Sequence, residues 1–381
     1  MFKSFQPPRR LLMGPGPTMV HPRTLEAAAR PTIGHLDPEF VGLMDEIKQL
    51  LQYTFKTQNE MTMPISAPGS AGMETCFANM VEPADEVIVC INGVFGGRMK
   101  ENVERCRGIP VVIEDAWGEP VSIAKVKQAF ANHPNAKILA FVHAETSTGA
   151  LSDAQALTQI AHEHEALVIV DAVTSLAGVP LLVDEWGLDA VYSGSQKCLS
   201  SLPGLSPVTF AESALEKIRN RGSKVNSWFL DLNLIMGYWN SSGSGRRAYH
   251  HTAPVNALYA LHESLLMVHE EGIENAWKRH RSNHEVLVAG LESLGFSMVV
   301  EEPYRLPQLN AVKLPEGWDD ARLRGELLNK HNFEVGAGLG DFAGKIWRIG
   351  LMGEACREEN VETCLRLLGE LKQDVERRQA A

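Results

Sequence analysis

Apolar positions along the middle of the chain fall into short unbroken runs rich in valine and isoleucine, separated by longer stretches in which they recur at helical spacing. The runs are "DEVIVCING" (85–93), "IPVVIED" (109–115), "AKILAFVHAE" (136–145), "ALVIVDAV" (166–173), "DAVYSGSQK" (189–197) and "LSPVTFA" (205–211). Continuous rather than alternating hydrophobicity predicts strands covered on both faces. The intervening segments "SIAKVKQAFANH" (122–133) and "SDAQALTQIAHEHE" (152–165) predict helices, each opened by a serine able to cap the first turn. Strands alternating with helices of this length predict an α/β fold with a mostly parallel sheet wrapped by helices.

After Pro254 the texture changes. One long helical stretch runs from Val255 to Gly295, followed by "FSMVVEEP", "NAVKLP", "FEVGAG" and "KIWRIGLMG" and a last amphipathic helix. This predicts a smaller C-terminal α+β domain. The expected division is an N-terminal arm over 1–32, a large domain over 33–260 and a small domain over 261–381. Gly14-Pro15-Gly16-Pro17 continues neither helix nor strand, so the arm is expected to lie back on the body. No internal repeat or low-complexity tract interrupts the pattern.

Composition narrows the function classes. A chain of 381 residues with 44% apolar and 22% charged residues supports a real core, and two domains are the prior at this length. No apolar run is long enough to span a bilayer, and "MFKSFQPPRRLLMGPGP" has no signal-like apolar region, so a cytoplasmic protein is expected. A formal charge of -11 argues against a nucleic-acid partner, which requires a basic face. The six cysteines stand singly without a CxxC pair, which implies reduced thiols. The histidine clusters "HEHE" (162–165) and "YHH" (249–251) lack the spacing that puts two ligands on one helix face, so no metal is expected.

In open parallel sheets ligands bind beyond the carboxyl ends of the strands, which directs attention to polar residues that terminate apolar runs. Three such places stand out: Asp171, the Thr146-Ser147-Thr148 cluster, and Ser193 to Lys197. A carboxylate ending a buried strand is by itself also an ordinary turn residue or helix cap. Paired with a lone lysine one strand later it gains meaning, because a desolvated lysine amine can form a Schiff base. Pyridoxal phosphate uses that chemistry, and it needs a carboxylate for its ring nitrogen and a cradle for its phosphate. "APGSAGMETCFANMV" (67–81) is a small-residue turn opening into a helix, suited to an anion; taken alone it is equally a tight turn capping a helix.

The segments "LLMGPGPT", "GLMDEIKQLLQYTFKTQN", "SAGMET", "HAETSTGAL", "VDAVTSLAGVPL", "YSGSQKCLSSLPGLS", "YHHTAPVNALYALHESL" and "RIGLMG" resemble, in order, the class V aminotransferases of fold type I, in their alanine:glyoxylate and serine:pyruvate branch. The likeness runs from about Leu11 to Leu368. It implies the pyridoxal-phosphate-dependent transferase fold type I, a three-layer α/β domain with a smaller C-terminal domain. It also implies pyridoxal 5'-phosphate as cofactor, a small amino acid such as alanine or serine with a 2-oxo acid such as glyoxylate or pyruvate as substrates, and ping-pong exchange.

By the same resemblance, Lys197 is the Schiff-base lysine and Asp171 the partner of the pyridinium nitrogen, with Val173 against the ring. Phe95 stands where relatives often stack a tryptophan, and Thr146 where a hydroxyl lies beside the ring. Gly69, Ser70 and Ala71 match the phosphate loop, with Gln196 assisting; Pro68 departs from the small hydroxyl or glycine common there. Tyr249 and Thr252 fall where the family reaches across a homodimer interface to the neighbour's phosphate, which implies two shared sites. Arg348 matches the clamp on the substrate carboxylate, and an arginine in an apolar strand wants an anion on physical grounds alone. Gly14, Pro15 and Gly16, with His35 and Phe95, imply a small substrate pocket.

Rival readings fare worse. "GLGDFA" (338–343) fits the dinucleotide fingerprint but is followed by "GKIWRIG" rather than a helix, which argues against a nicotinamide dehydrogenase. A cysteine desulfurase would need a nucleophilic cysteine on a loop ahead of the carboxylate-binding arginine, and the cysteine closest to Arg348, Cys356, follows it. Ureidoglycine, 3-hydroxykynurenine and pyridoxamine aminotransferases share the framework; the phosphate-binding "PGSAGME" argues against the last, and His35 in place of a glutamine against the first. A non-catalytic pyridoxal phosphate carrier would be expected to lack one of Lys197, Asp171 or Arg348.

Overall fold

The computed structural model describes residues 2–239 and 247–380. A short strand β1 (Leu11–Leu12) and helices α1 (Pro22–Ala28) and α2 (Pro38–Phe55) precede the main sheet. Its strands are β2 (Met61–Ile65), β3 (Glu86–Ile91), β4 (Ile109–Glu114), β5 (Ile138–Val142), β8 (Leu167–Asp171), β9 (Ala190–Tyr192) and β10 (Ser206–Phe210), with a two-stranded hairpin, β6 (Ala144–Glu145) and β7 (Ala150–Leu151), after β5. Helices α3 (Gly69–Met80), α4 (Val94–Arg105), α5 (Ile123–Asn132), α6 (Ala154–Glu163), α7 (Val183–Trp186), α8 (Glu212–Arg219) and α9 (Leu232–Trp239) belong to this part of the chain.

The strand order is β2-β10-β9-β8-β5-β3-β4. Pairing is parallel from β4 through β9, and β10 runs antiparallel to both β9 and β2. The expected mostly parallel sheet flanked by helices is therefore present, and every residue of β5 is buried, as unbroken hydrophobicity requires. Strand β2, "MTMPI", carries little strand signal because of Pro64. It lies at the sheet edge, where Pro64 faces Pro207 of β10, so neither position asks its partner for an N–H. After β4 the chain returns to β5 on the other side of β3. The carboxyl ends of β3, β5 and β8 thereby border the crevice at which the strand order reverses.

Helix α2 shows how the outer layer is fixed. Asp37 caps it by accepting the Glu39 N–H at 2.9 Å and Pro38 occupies the first turn, while Phe40, Met44, Ile47, Leu51 and Phe55 form one buried stripe. Each such side chain contributes about 1.5–3 kcal/mol on burial. Two expectations about helices need correction. Ser122 does cap α5, but α6 is capped by Asp153, which accepts the Ala156 N–H at 2.9 Å; Ser152 instead accepts the Val121 N–H at 3.1 Å. The long stretch after Pro254 is two helices, α10 (Val255–Glu271) and α11 (Ile273–Ser293), because Gly272 takes a positive φ of 85° that ends one and opens the other.

A four-stranded antiparallel sheet, in the order β11-β12-β15-β14, is built from β11 (Ser297–Met298), β12 (Leu309–Lys313), β14 (Gly336–Ala337) and β15 (Ile346–Gly350), with β13 (Phe333–Glu334) just ahead of β14. Helices α12 (Asp320–His331) and α13 (Glu358–Ala380) complete this part, whose core of Leu287, Phe296, Val312, Phe333, Trp347 and Leu368 is distinct from that of the main sheet. Strand β1 pairs in parallel with β13 as a separate two-stranded sheet, and Gly350 N–H donates to the Met13 carbonyl at 2.8 Å, so residues 11–13 are tied to β13 and β15. Helix α1 lies along α10. Among the described residues no helix is long and apolar enough to cross a membrane.

Candidate active site

The crevice at the carboxyl ends of β3, β5 and β8 collects most of the residues singled out in the sequence. Asp171 is the last residue of β8 and is buried. Its Oδ1 accepts the Val173 N–H at 2.8 Å and its Oδ2 accepts the Tyr192 hydroxyl at 2.8 Å. Burial pushes the carboxyl up to about 6, opposed by those two hydrogen bonds and by the charges of Lys197 and Arg98. Each carboxylate oxygen has one protein donor, which leaves acceptor capacity for a cationic N–H.

Lys197 follows β9 on the loop that starts at Ser193. It is buried, and its Nζ donates to the Pro15 carbonyl. Burial lowers its amine to about 8; the Arg348 charge pushes the same way, while Cys198 and Asp171 oppose. The arm is shaped to the lysine at Gly16, where φ is 102° and a Cβ would lie 2.7 Å from Nζ and 2.8 Å from Cδ. Thr18 secures the arm: its N–H donates to the Gln196 carbonyl at 3.0 Å and its hydroxyl to the Met352 carbonyl at 2.7 Å. Gly14, Pro15 and Gly16 thus form a wall beside the lysine, and Gly14 also sits against β15, since a Cβ on Gly350 would meet its carbonyl oxygen at 1.9 Å.

Helix α3 brings Gly69, Ser70 and Ala71 to the same crevice. Its N-cap is Pro68, with no side-chain cap, and Gly69 is close enough to Val173 and Gly194 that a Cβ would touch both at about 3.5 Å. The Ala71 N–H is taken by the Pro68 carbonyl at 2.7 Å, which leaves Gly69 and Ser70 as the first-turn amides at the positive end of the helix. Gln196 lies over Gly194 with its Oε1 buried and without a partner.

The hairpin β6–β7 supplies Thr146, whose hydroxyl bonds that of Thr174 and whose carbonyl accepts Arg348 Nη1 at 3.2 Å. Arg348, in the middle of β15, is 7% exposed and also donates from Nε to the Ala337 carbonyl at 2.7 Å. Both of its protein acceptors are neutral carbonyls. Burial pulls the guanidinium down to about 10, with the charge of Glu145 opposing. Phe95 is the second residue of α4, just after β3, with Arg98 4.9 Å from its ring centroid.

Three residues of the crevice went unassigned from sequence: Tyr192, Arg98 and Glu145, a fully buried carboxyl raised to about 7 by desolvation. Tyr192 is the register partner of Asp171 across the parallel β8–β9 pair, a relation that spacing along the chain does not disclose. Tyr249 and Thr252 are not drawn into the group. Both are exposed, Tyr249 by 67%, with its ring 5.4 Å from that of His35. Among the described residues all six cysteines are free and no cluster of metal-ligating side chains occurs.

Comparison with known proteins gives a consistent picture. The pattern of the family described as Aminotransferase class-V matches residues 21–346. The alanine–glyoxylate aminotransferase of Callithrix jacchus is 37% identical over 98% of this chain and 90% of its own. The solved structure of alanine–glyoxylate aminotransferase from Nostoc sp. is 45% identical and superposes with a TM-score of 0.94 over 97% of both chains. That of ureidoglycine-glyoxylate aminotransferase from Bacillus subtilis is 36% identical with a TM-score of 0.95, over 98% of this chain and 95% of that one.

Proposed function

We propose, from the fact that this chain belongs to the class-V aminotransferases, that it transfers the amino group of a small L-amino acid, alanine or serine, to a 2-oxo acid such as glyoxylate or pyruvate. Members of this family depend on pyridoxal phosphate, and the residues present suit it: a buried amine of lowered basicity, a buried carboxylate with spare lone pairs, and an uncapped helix N-terminus for a phosphate. When bound, pyridoxal phosphate supplies an aldehyde that captures amines and an electron sink that acidifies the substrate's Cα–H.

The geometry supports the following roles for the chain's own residues. Lys197 would hold the aldehyde end, and its neutral amine would move the proton at the substrate's Cα. An amine near 8 is partly neutral at physiological pH, as a base must be. Asp171 would hold positive charge on the ring nitrogen, and Tyr192 and the Val173 amide keep the two Asp171 oxygens aimed. The Gly69 and Ser70 amides with Gln196 would take the phosphate, while Phe95, Val173 and Thr146 would bound the ring. Arg348, which has only carbonyls for partners, receives the α-carboxylate. The wall at Gly14 to Gly16 keeps the side-chain space small. The exposure of Tyr249 and Thr252 in the single chain fits a role completed by a second copy, each chain lending them to its partner's site.

The observation that carries the reading is the buried Lys197 amine set among Asp171, Arg348 and the glycine-bearing arm. The test is an absorbance spectrum of the purified protein with pyridoxal phosphate. A band of lysine-bound cofactor should bleach on addition of L-alanine or L-serine and return with glyoxylate, and the relative rates rank the donors. Absence of any cofactor band after pyridoxal phosphate is added would overturn the reading.

The amine makes a further expectation measurable. The rate at which the cofactor-free protein takes up pyridoxal phosphate should rise with pH and level off above about 8, because the neutral amine is the nucleophile. An ordinary lysine would keep gaining up to about 10.4. A profile still climbing at pH 9.5 would show that burial does not depress this group.

A further inference from the structure

Glu145 lies in the crevice with no part in the chemistry above, yet its surroundings are built around it. Its Oε1 accepts both the N–H and the hydroxyl of Ser147, at 2.9 and 2.5 Å, and its Oε2 accepts the Phe95 N–H at 3.2 Å. The Ser147 oxygen in turn accepts the Val94 N–H at 3.0 Å. Helix α4 starts at Val94, and its N-cap, Gly93, has no side chain to offer. The first two amides of α4 are therefore held from the β6–β7 hairpin rather than from within the helix. Gly93 is the space that allows this: a Cβ there would lie 2.4 Å from the Glu145 carboxyl carbon and 2.5 Å from the Ser147 hydroxyl.

The two elements so joined both carry residues of the crevice. Phe95 is the second residue of α4, while Thr146, next to Glu145 in the chain, bonds Thr174 through its hydroxyl and Arg348 through its carbonyl. We propose that Glu145 is a positioning residue which, by accepting the α4 amides directly and through Ser147, fixes the Phe95 ring relative to Thr146 and Arg348. What occupies the gap between them rests on the proposed function; the tie itself does not. Three backbone N–H groups and a hydroxyl converge on this carboxylate or its serine, and hydrogen bonds to a carboxylate at a helix N-terminus are of the stronger kind. A carboxamide of the same shape offers one oxygen and turns its NH2 toward a donor.

The test uses Glu145→Gln in the full-length protein at pH 8, above the value of about 7 to which burial raises this carboxyl. In the cofactor-free protein, hydrogen exchange at the Val94 and Phe95 amides should accelerate about 10-fold or more, with cooperative unfolding retained. Affinity for pyridoxal phosphate should fall about 10- to 100-fold, and the visible circular dichroism of the bound cofactor should weaken as the ring loses its fixed wall. Wild-type exchange at both amides would overturn the proposal whatever happens to affinity, since the route through α4 would be missing. Faster exchange with unchanged affinity and dichroism would overturn it too, reducing Glu145 to a helix cap. Should Glu145→Gln fail to fold, Ser147→Ala keeps the carboxylate and removes the Val94 link; faster exchange at Val94 and an affinity loss of about 3- to 10-fold are then expected, and wild-type behaviour overturns the proposal. If the wild-type protein takes up no pyridoxal phosphate, the proposed function fails, while the exchange rates still decide whether Glu145 holds α4.

Discussion

Lys197→Ala is expected to lower the rate of complete transamination by at least about 10^4-fold, the upper range of what a positioned general base contributes, while the protein still folds. Two jobs disappear together: the covalent hold on the aldehyde and the movement of the Cα proton. Folding should survive because the buried ammonium is a liability to the native state. Its pKa falls from 10.5 unfolded to about 8 folded, so the folded protein binds this proton less firmly. The unfavourable contribution is fully present below about 8 and is lost as pH rises toward 10.5. Removing the amine relieves that term while leaving a gap beside Gly16. The roles separate by chemical rescue: a small primary amine such as methylamine should restore part of the proton-transfer rate in a single half-reaction, with smaller amines more effective. Retention of wild-type turnover by Lys197→Ala would remove the lysine from the mechanism.

Lys197 and Asp171 were legible from sequence because sheet physics places them. An unbroken apolar run is a strand covered on both faces, and its first polar residue is where the chain leaves the core, at the end that faces ligands. Arg348 was legible because a charge inside "KIWRIG" is costly without an anion. What escaped depends on register and on contacts distant in the chain. Tyr192 looks like one more strand residue until the β8–β9 register sets it beside Asp171. Glu145 reaches amides at the end of a different strand, and no local period marks that. Strand β2 was missed because methionine and Pro64 weaken the strand pattern, and an edge position facing another proline removes the objection to it. The cap of α6 shifted by one residue because Ser152 was already committed to Val121 and Asp153 stood next in line.

Arg348→Leu is expected to reduce kcat/KM for the amino acid and for the 2-oxo acid alike by about 10^2.2- to 10^3.7-fold. The range corresponds to about 3–5 kcal/mol for removing one partner of a buried ion pair, at 1.36 kcal/mol per tenfold. The premise is the unfinished state of the guanidinium. It is 7% exposed, bonded to the carbonyls of Ala337 and Thr146, and held down to about 10 by burial, so the folded protein carries a charge that a bound carboxylate completes. Both half-reactions bring a carboxylate to the same place, which is why donor and acceptor should suffer together. Ethylamine, which is alanine without its carboxylate, should react as slowly with Arg348→Leu as with the wild-type protein, so the preference for alanine over ethylamine collapses in the variant. Arg348→Lys should fall between the two, since it keeps the charge and loses the two-pronged geometry. If the alanine-to-ethylamine ratio were unchanged in Arg348→Leu, the substrate carboxylate would have to be held elsewhere in the crevice, and the polarity assigned to the site, with the amine end at Lys197 and the acid end at β15, would be wrong.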